Sequence, residues 1–210
     1  MGAINLNKVT QGERFSLTKV DGTPLTKLSV GAGWNINRYN PSSKYDIDLI
    51  SFLCDEKGIC LGVDYFIAGG GTTALRKEDG SFFDHDPEGA VHHTGDNTTG
   101  EGDGDDERID FDLTKLNPRV VKIPIIAVIY KAEERKQTFG QIDDAYFRII
   151  DSDSGDTTQF DLTEDYGKLT AIVGFELYKK NNEWRCNAVG KGYVKDLLEL
   201  CTEYGLNAAY

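Results

Sequence analysis

The sequence predicts an all-β fold, an antiparallel β-sandwich closed by one C-terminal helix, and three observations carry that prediction. Short alternating segments divided by Gly, Asn, Asp and Pro recur along most of the chain. The strand–helix alternation that builds a parallel sheet is missing. Apolar residues adopt helical spacing only near the C-terminus, where Val194, Leu197, Leu198 and Cys201 recur between Tyr193 and Tyr204 and Gly205 is a fitting terminator.

The elements follow in chain order. Residues 44–53 alternate, so Tyr45, Ile47 and Leu49 share one face and Asp46 and Asp48 the other. Residues 68–90 open with a run of glycines and continue with Asp, Glu and Gly, which predicts a long mobile surface loop with little core content beyond Phe82 and Phe83. Ile109, Phe111 and Leu113 alternate with Asp110 and Asp112, a half-buried strand. Residues 120–130 are rich in Ile and Val and read as a central strand, with Pro124 requiring a bulge or an edge position. Residues 145–150 alternate and break at the 151–156 turn. Residues 171–178 and 184–189 form a hairpin around Lys180, Asn181 and Asn182. The expected organisation is a single domain over 1–210 with the 68–90 segment as its long loop.

A net charge of -12 gives no long-range attraction for phosphate, which excludes a general nucleic-acid binder. Cys54, Cys60, Cys186 and Cys201 lack CxxC spacing and read as apolar core thiols of a reducing compartment. No stretch is apolar enough to span a membrane, and the first residues lack the pattern of a secretion signal. His85, His92 and His93 fall in or beside the long loop and read as solvated.

Residues 95–107 carry the chemistry. Six carboxylates, one amide and two hydroxyls are interleaved with four glycines. Two carboxylates about 4 Å apart repel by roughly 4 kcal/mol at an effective dielectric near 20. The glycines permit sharp reversals that aim several oxygens inward, and a divalent cation relieves the repulsion. An all-oxygen donor set suits Ca²⁺ over zinc, and its size and flexibility suit Ca²⁺ over Mg²⁺. So many ligands have room for one or two ions. The alternative reading of the cluster is a solvated acidic turn. An EF-hand frame fails from Asp103 and from Asp151, because the required Gly and Glu positions do not follow.

Beyond this loop, the run His93-Thr94-Gly95-Asp96-Asn97 leading to Gly100-Glu101-Gly102-Asp103-Gly104-Asp105-Asp106-Glu107 resembles the signature of the TerD family of tellurium-resistance and stress-response proteins. Val30-Gly31-Ala32-Gly33-Trp34, Tyr45-Asp46-Ile47-Asp48-Leu49, Phe139-Gly140-Gln141, Glu176-Leu177-Tyr178 and Gly192-Tyr193 are similar to further family motifs. The resemblance implies a β-sandwich like that of C2 domains, with calcium held at one end. It implies calcium ligands at Asp96, Asn97, Glu101, Asp103, Asp105, Asp106 and Glu107, with Asp46 and Asp48 as further ligands or supporting partners. The alternative for Asp46 and Asp48 is the wet face of an edge strand. It further implies a non-enzymatic, cytoplasmic protein, peripheral at the inner membrane, whose partners are calcium, other tellurium-resistance proteins or the membrane surface. Lys131 departs from the family pattern, which has an Asp or His there, and a cation at that position would lower ion affinity or replace an ion.

Two other functions compete. A metal-independent acidic interaction module would use the same loop to hold a basic partner. A metal-dependent phosphohydrolase would use Asp46 and Asp48, but Pro41-Ser42-Ser43-Lys44 precedes the pair where such enzymes have an apolar strand.

Overall fold

Alternation along each strand turns one face toward a common core, and the computed structural model shows where that core lies. It describes residues 6–35, 45–70, 77, 80–95, 97, 104–162 and 166–207. The strands are β1 (Leu6–Val9), β2 (Arg14–Ser16), β3 (Lys27–Asn35), β4 (Ile47–Phe52), β5 (Phe66–Ala68), β6 (Val91–His93), β7 (Glu107–Asp112), β8 (Lys122–Ile129), β9 (Asp143–Asp151), β10 (Thr157–Asp161), β11 (Ala171–Lys180) and β12 (Glu183–Tyr193). Two α-helices accompany them, α1 (Ala132–Arg135) and α2 (Leu197–Glu203).

The strands form two six-stranded sheets, β1-β10-β9-β3-β7-β6 and β2-β12-β11-β8-β4-β5. Every pairing is antiparallel except β1 with β10. Leu28, Val30, Ile109, Phe111, Phe147 and Ile149 of the first sheet meet Ile47, Leu49, Ile123, Ile125, Phe175 and Leu177 of the second in a continuous apolar core. This is the β-sandwich that the alternation predicts.

A second apolar layer covers the outer face of the second sheet. Ile50, Phe52, Ile126, Val128 and Val173 pack there against Leu197, Leu200 and Cys201 of α2. Strands β4 and β8 are therefore buried on both faces, which explains why residues 120–130 read as a nearly unbroken apolar run. Pro124 falls one residue beyond the last β4–β8 partner, Ser51 with Ile125. The even-numbered N–H groups along this strand, such as those of Lys122 and Tyr130, face the β4 side, so the donor that Pro124 lacks falls just past that pairing, while the β11 register shift between Val173 and Phe175 lies on the other side.

Helix α2 is shorter than its apolar spacing predicts. β12 runs on to Tyr193, Val194 is 67% exposed, and Asp196 caps the helix by accepting from the Glu199 N–H at 2.8 Å. The 68–90 segment also differs from a plain surface loop where it is described. Phe83 and Asp86 are buried, and Asp86 accepts from the N–H groups of Ala90 and Val91 at 2.7 and 2.8 Å.

Candidate functional site

The site begins where β5 ends. β5 pairs with β4 only as far as Ala68 with Ile50. Leu53 donates its N–H toward this side, to Tyr65 O, and Leu49 has the same parity, so its N–H points past the end of β5. A buried donor without a partner costs about 1–3 kcal/mol. Glu107, the first residue of β7 in the opposite sheet, accepts that N–H through Oε2 at 2.5 Å. Its carboxylate, 2% exposed, thus bridges the two sheets at their open end.

His93 completes this corner. Its ring is buried, with Nε2 3.3 Å from Glu107 Oε2. The Gly95 N–H donates to Nδ1 at 3.2 Å, so Nδ1 is the acceptor and the neutral ring carries its proton on Nε2, toward Glu107. Gly69 makes this approach possible, because a Cβ there would lie 2.0 Å from His93 Nδ1. The expectation that His93 is solvated is therefore corrected. β6 alternates, so Val91 and His93 turn inward while His92 stays exposed. Three residues of a short strand beside a loop carried too little pattern to reveal this.

Asn97 joins Glu107 to its neighbour Asp106. The Asn97 backbone N–H donates to Glu107 Oε1 at 3.3 Å, and its Nδ2 donates to Asp106 Oδ1 at 3.2 Å. Asp106 Oδ2 accepts the Trp34 N–H at 2.9 Å. Burial, with added repulsion from Asp105, raises the Asp106 carboxyl above its usual range, and the Trp34 donor opposes that shift. A carboxyl raised in the folded state costs stability at neutral pH. The cost disappears as pH falls through the folded-state pKa.

Asp105 points elsewhere. Its Oδ1 lies 2.6 Å from Arg148 Nε and accepts from the Tyr146 hydroxyl at 3.3 Å. The carboxylate rests on Gly31, where a Cβ would come within 2.2 Å of it. Burial and then the Asp105 charge push the Tyr146 hydroxyl up to about 12. Asp105 is thus neutralised by a protein cation on the outer face of the first sheet.

Asp46 and Asp48 share a strand face as predicted, but it is not a wet one. Asp48 is only 4% exposed and neighbours Leu49, the donor to Glu107. Asp46 Oδ2 lies 3.4 Å from Arg135 Nη2. Lys131 caps the start of α1 in a left-handed conformation and pairs with Glu134 at 3.4 Å. The predicted ligands Asp96, Glu101 and Asp103 lie outside the described residues. Among the described residues, no group of three or more His, Cys, Asp or Glu side chains is arranged to hold a metal ion. What converges there are the carboxylates of Asp106 and Glu107, whose oxygens accept from the N–H groups of Leu49, Trp34 and Asn97, with the His93 ring beside Glu107 and burial making the Asp106 charge costly. That chemistry fits a hard divalent cation.

The TerD domain matches residues 3–204. The chain belongs to the TerD family. General stress protein 16U of Bacillus subtilis (strain 168) is 36% identical over 199 residues, covering 94% of this chain and 96% of that protein. Tellurium resistance protein TerD of Serratia marcescens is 36% identical over 202 residues, covering 96% and 98%. A solved homologue of telluride resistance protein (TerD) from Streptomyces coelicolor A3(2) superposes with a TM-score of 0.61 at 16% identity, covering 86% of this chain and 98% of its own, and shares the fold. This TerD-family member is a stress-response protein at the level its relatives define.

Proposed function

We propose that the chain is a calcium-binding stress-response protein that acts through ion-dependent binding or assembly rather than catalysis. One observation supports this most: Asn97 ties together two carboxylates on consecutive residues, Asp106 and Glu107, the first half-buried and the second buried. Burial makes those charges costly, and a divalent cation in the adjoining Gly/Asp loop offsets the cost. Asp48, Asp96, Glu101 and Asp103 are the further ligands on this reading, which provides for one or two ions. Its relatives' association with tellurium resistance and general stress suggests a cytoplasmic role, with other tellurium-resistance proteins or the inner membrane surface as partner.

Titration calorimetry and thermal melting test the proposal. Calcium should bind with measurable heat and raise stability by about 2.7 kcal/mol at a hundredfold excess over the dissociation constant. The double variant Asp106→Asn, Glu107→Gln should lose most of that gain. The glutamine keeps an oxygen for the Leu49 N–H, so the apo fold should survive. Calcium at millimolar concentration producing neither heat nor a shifted melt would sink the ion reading.

A second reading, a metal-independent acidic interaction module, draws on a separate observation. Asp105 and Asp46 are already paired with Arg148 and Arg135, so two of the predicted ligands find their cations within the protein. The same titration decides between the readings.

A further inference from the structure

Three of the four cysteines lie in the apolar layer between the second sheet and α2: Cys54, Cys60 and Cys201. Cys54 and Cys60 face each other as an isolated antiparallel bridge just beyond β4. Two hydrogen bonds make that bridge, from the Leu61 N–H to Leu53 O at 3.1 Å and from the Asp55 N–H to Ile59 O at 2.9 Å. Both run between the neighbours of the cysteines. Cys54 and Cys60 therefore occupy a non-hydrogen-bonded position, where Cα atoms approach to about 4.5 Å and side chains stand closest. Disulfides span Cα separations of about 4.4–6.8 Å.

The side chains match the backbone. Both thiols enter the same layer. Cys54 Sγ lies 3.5 Å from Phe52 O and Cys60 Sγ 3.3 Å from Gly62 O, so both lean away from the intervening turn.

We infer that Cys54 and Cys60 form a dithiol redox site that closes to a cross-strand disulfide when a hydroperoxide is the oxidant. Cys60 reacts first. It is 6% exposed while Cys54 is fully buried. Burial pushes both thiols up, but contacts with the backbone at Gly62, Leu53 and Leu61 oppose the shift at Cys60. The Cys60 thiol loses its proton and its sulfur attacks the peroxide. An S–O bond forms, the O–O bond breaks, and the departing oxygen leaves as water or alcohol after taking a proton. Cys54 then loses its proton and attacks the Cys60 sulfenic sulfur. The S–S bond forms, the S–O bond breaks and water leaves. Two thiols are oxidised and one peroxide is reduced, and a thiol reductant reverses the change.

Cys201 is the internal competitor, since it packs in the same layer and the charge of Cys60 is felt at its thiol. It comes from a helix, however, and lacks the paired backbone that holds Cys54 opposite Cys60.

Mass spectrometry of the folded full-length chain tests the inference. The folded chain is treated with hydrogen peroxide, the peroxide is removed, and the chain is then unfolded in the presence of an alkylating agent, digested and mapped. The expected product has lost two hydrogens, contains one peptide link between Cys54 and Cys60, and shows two titratable thiols in place of four. Dithiothreitol should restore the four, and Cys201→Ser should give the same link. Three results would overturn the inference: a link through Cys201, sulfinic acid at Cys60 without a link, or four thiols surviving in a folded chain that loses them once unfolded.

Discussion

The side chain of Glu107 leaves one sheet and takes its hydrogen bond from the backbone of the other, and its neighbours are chosen to let it do so. Gly69 is one of them. The His93 ring lies against it, so a methyl group at this position forces ring or backbone aside. Overpacking of this kind costs about 1–3 kcal/mol. Gly69→Ala should lower the unfolding free energy measured by urea denaturation by that amount, and a midpoint equal to that of the parent chain would show that the ring moves freely. At this scale the site was partly legible. Asp106, Glu107 and Asn97 stood out because carboxylates and glycines at such density have few other uses. His93 did not stand out, because a single inward residue on a strand this short leaves no period to read. Asp105 looked like its neighbour Asp106, and nothing in the sequence around them separates the two. One joins the corner and the other meets Arg148.

Helix α2 holds the second apolar layer in place, and its start is fixed by a capping box. Asp196 accepts from the Glu199 N–H, and the Glu199 side chain accepts from the Asp196 N–H at 2.9 Å. Removing such a cap costs about 1 kcal/mol. Asp196→Ala should therefore lower the melting temperature measured by circular dichroism, and an unchanged melt would mean that packing of Leu197, Leu200 and Cys201 alone sets the helix. The predicted start rested on the apolar spacing that begins at Val194, which lies ahead of the cap and outside the helix. Most long elements were legible, but the nine-residue β3 was not, since Gly31 and Gly33 interrupt its apolar pattern. β4, β7, β8, β9 and the β11–β12 hairpin all coincide with alternating or apolar runs. The hairpin turn places Asn181 and Asn182 at φ of 53° and 64°, the left-handed conformation that Asn tolerates. β1, β2, β5, β6 and β10 were not legible either. They are short, and β1 is defined by a parallel partner far along the chain.

The whole molecule is a sandwich with an extra apolar layer on one side and acidic residues gathered at one end. Its net charge of -12 opposes approach to any anionic surface. Calcium at the acidic end would reduce that repulsion locally. Co-sedimentation with phosphatidylserine vesicles should therefore rise when calcium is added and fall again with a chelator. Equal pelleting in both conditions would argue against the membrane as a partner. The burial of β4 on both faces could not be read from its sequence, because the covering helix arrives from the far end of the chain.

Glu107 ties these scales together. A carboxylate anchored in both sheets pins the rim of the sandwich, so the acidic loop cannot be remodelled without changing the gap between the layers. On the calcium reading, an ion at that corner would act on the spacing of the sheets, and the layer under α2 on the outer face of β4 would feel what the loop holds.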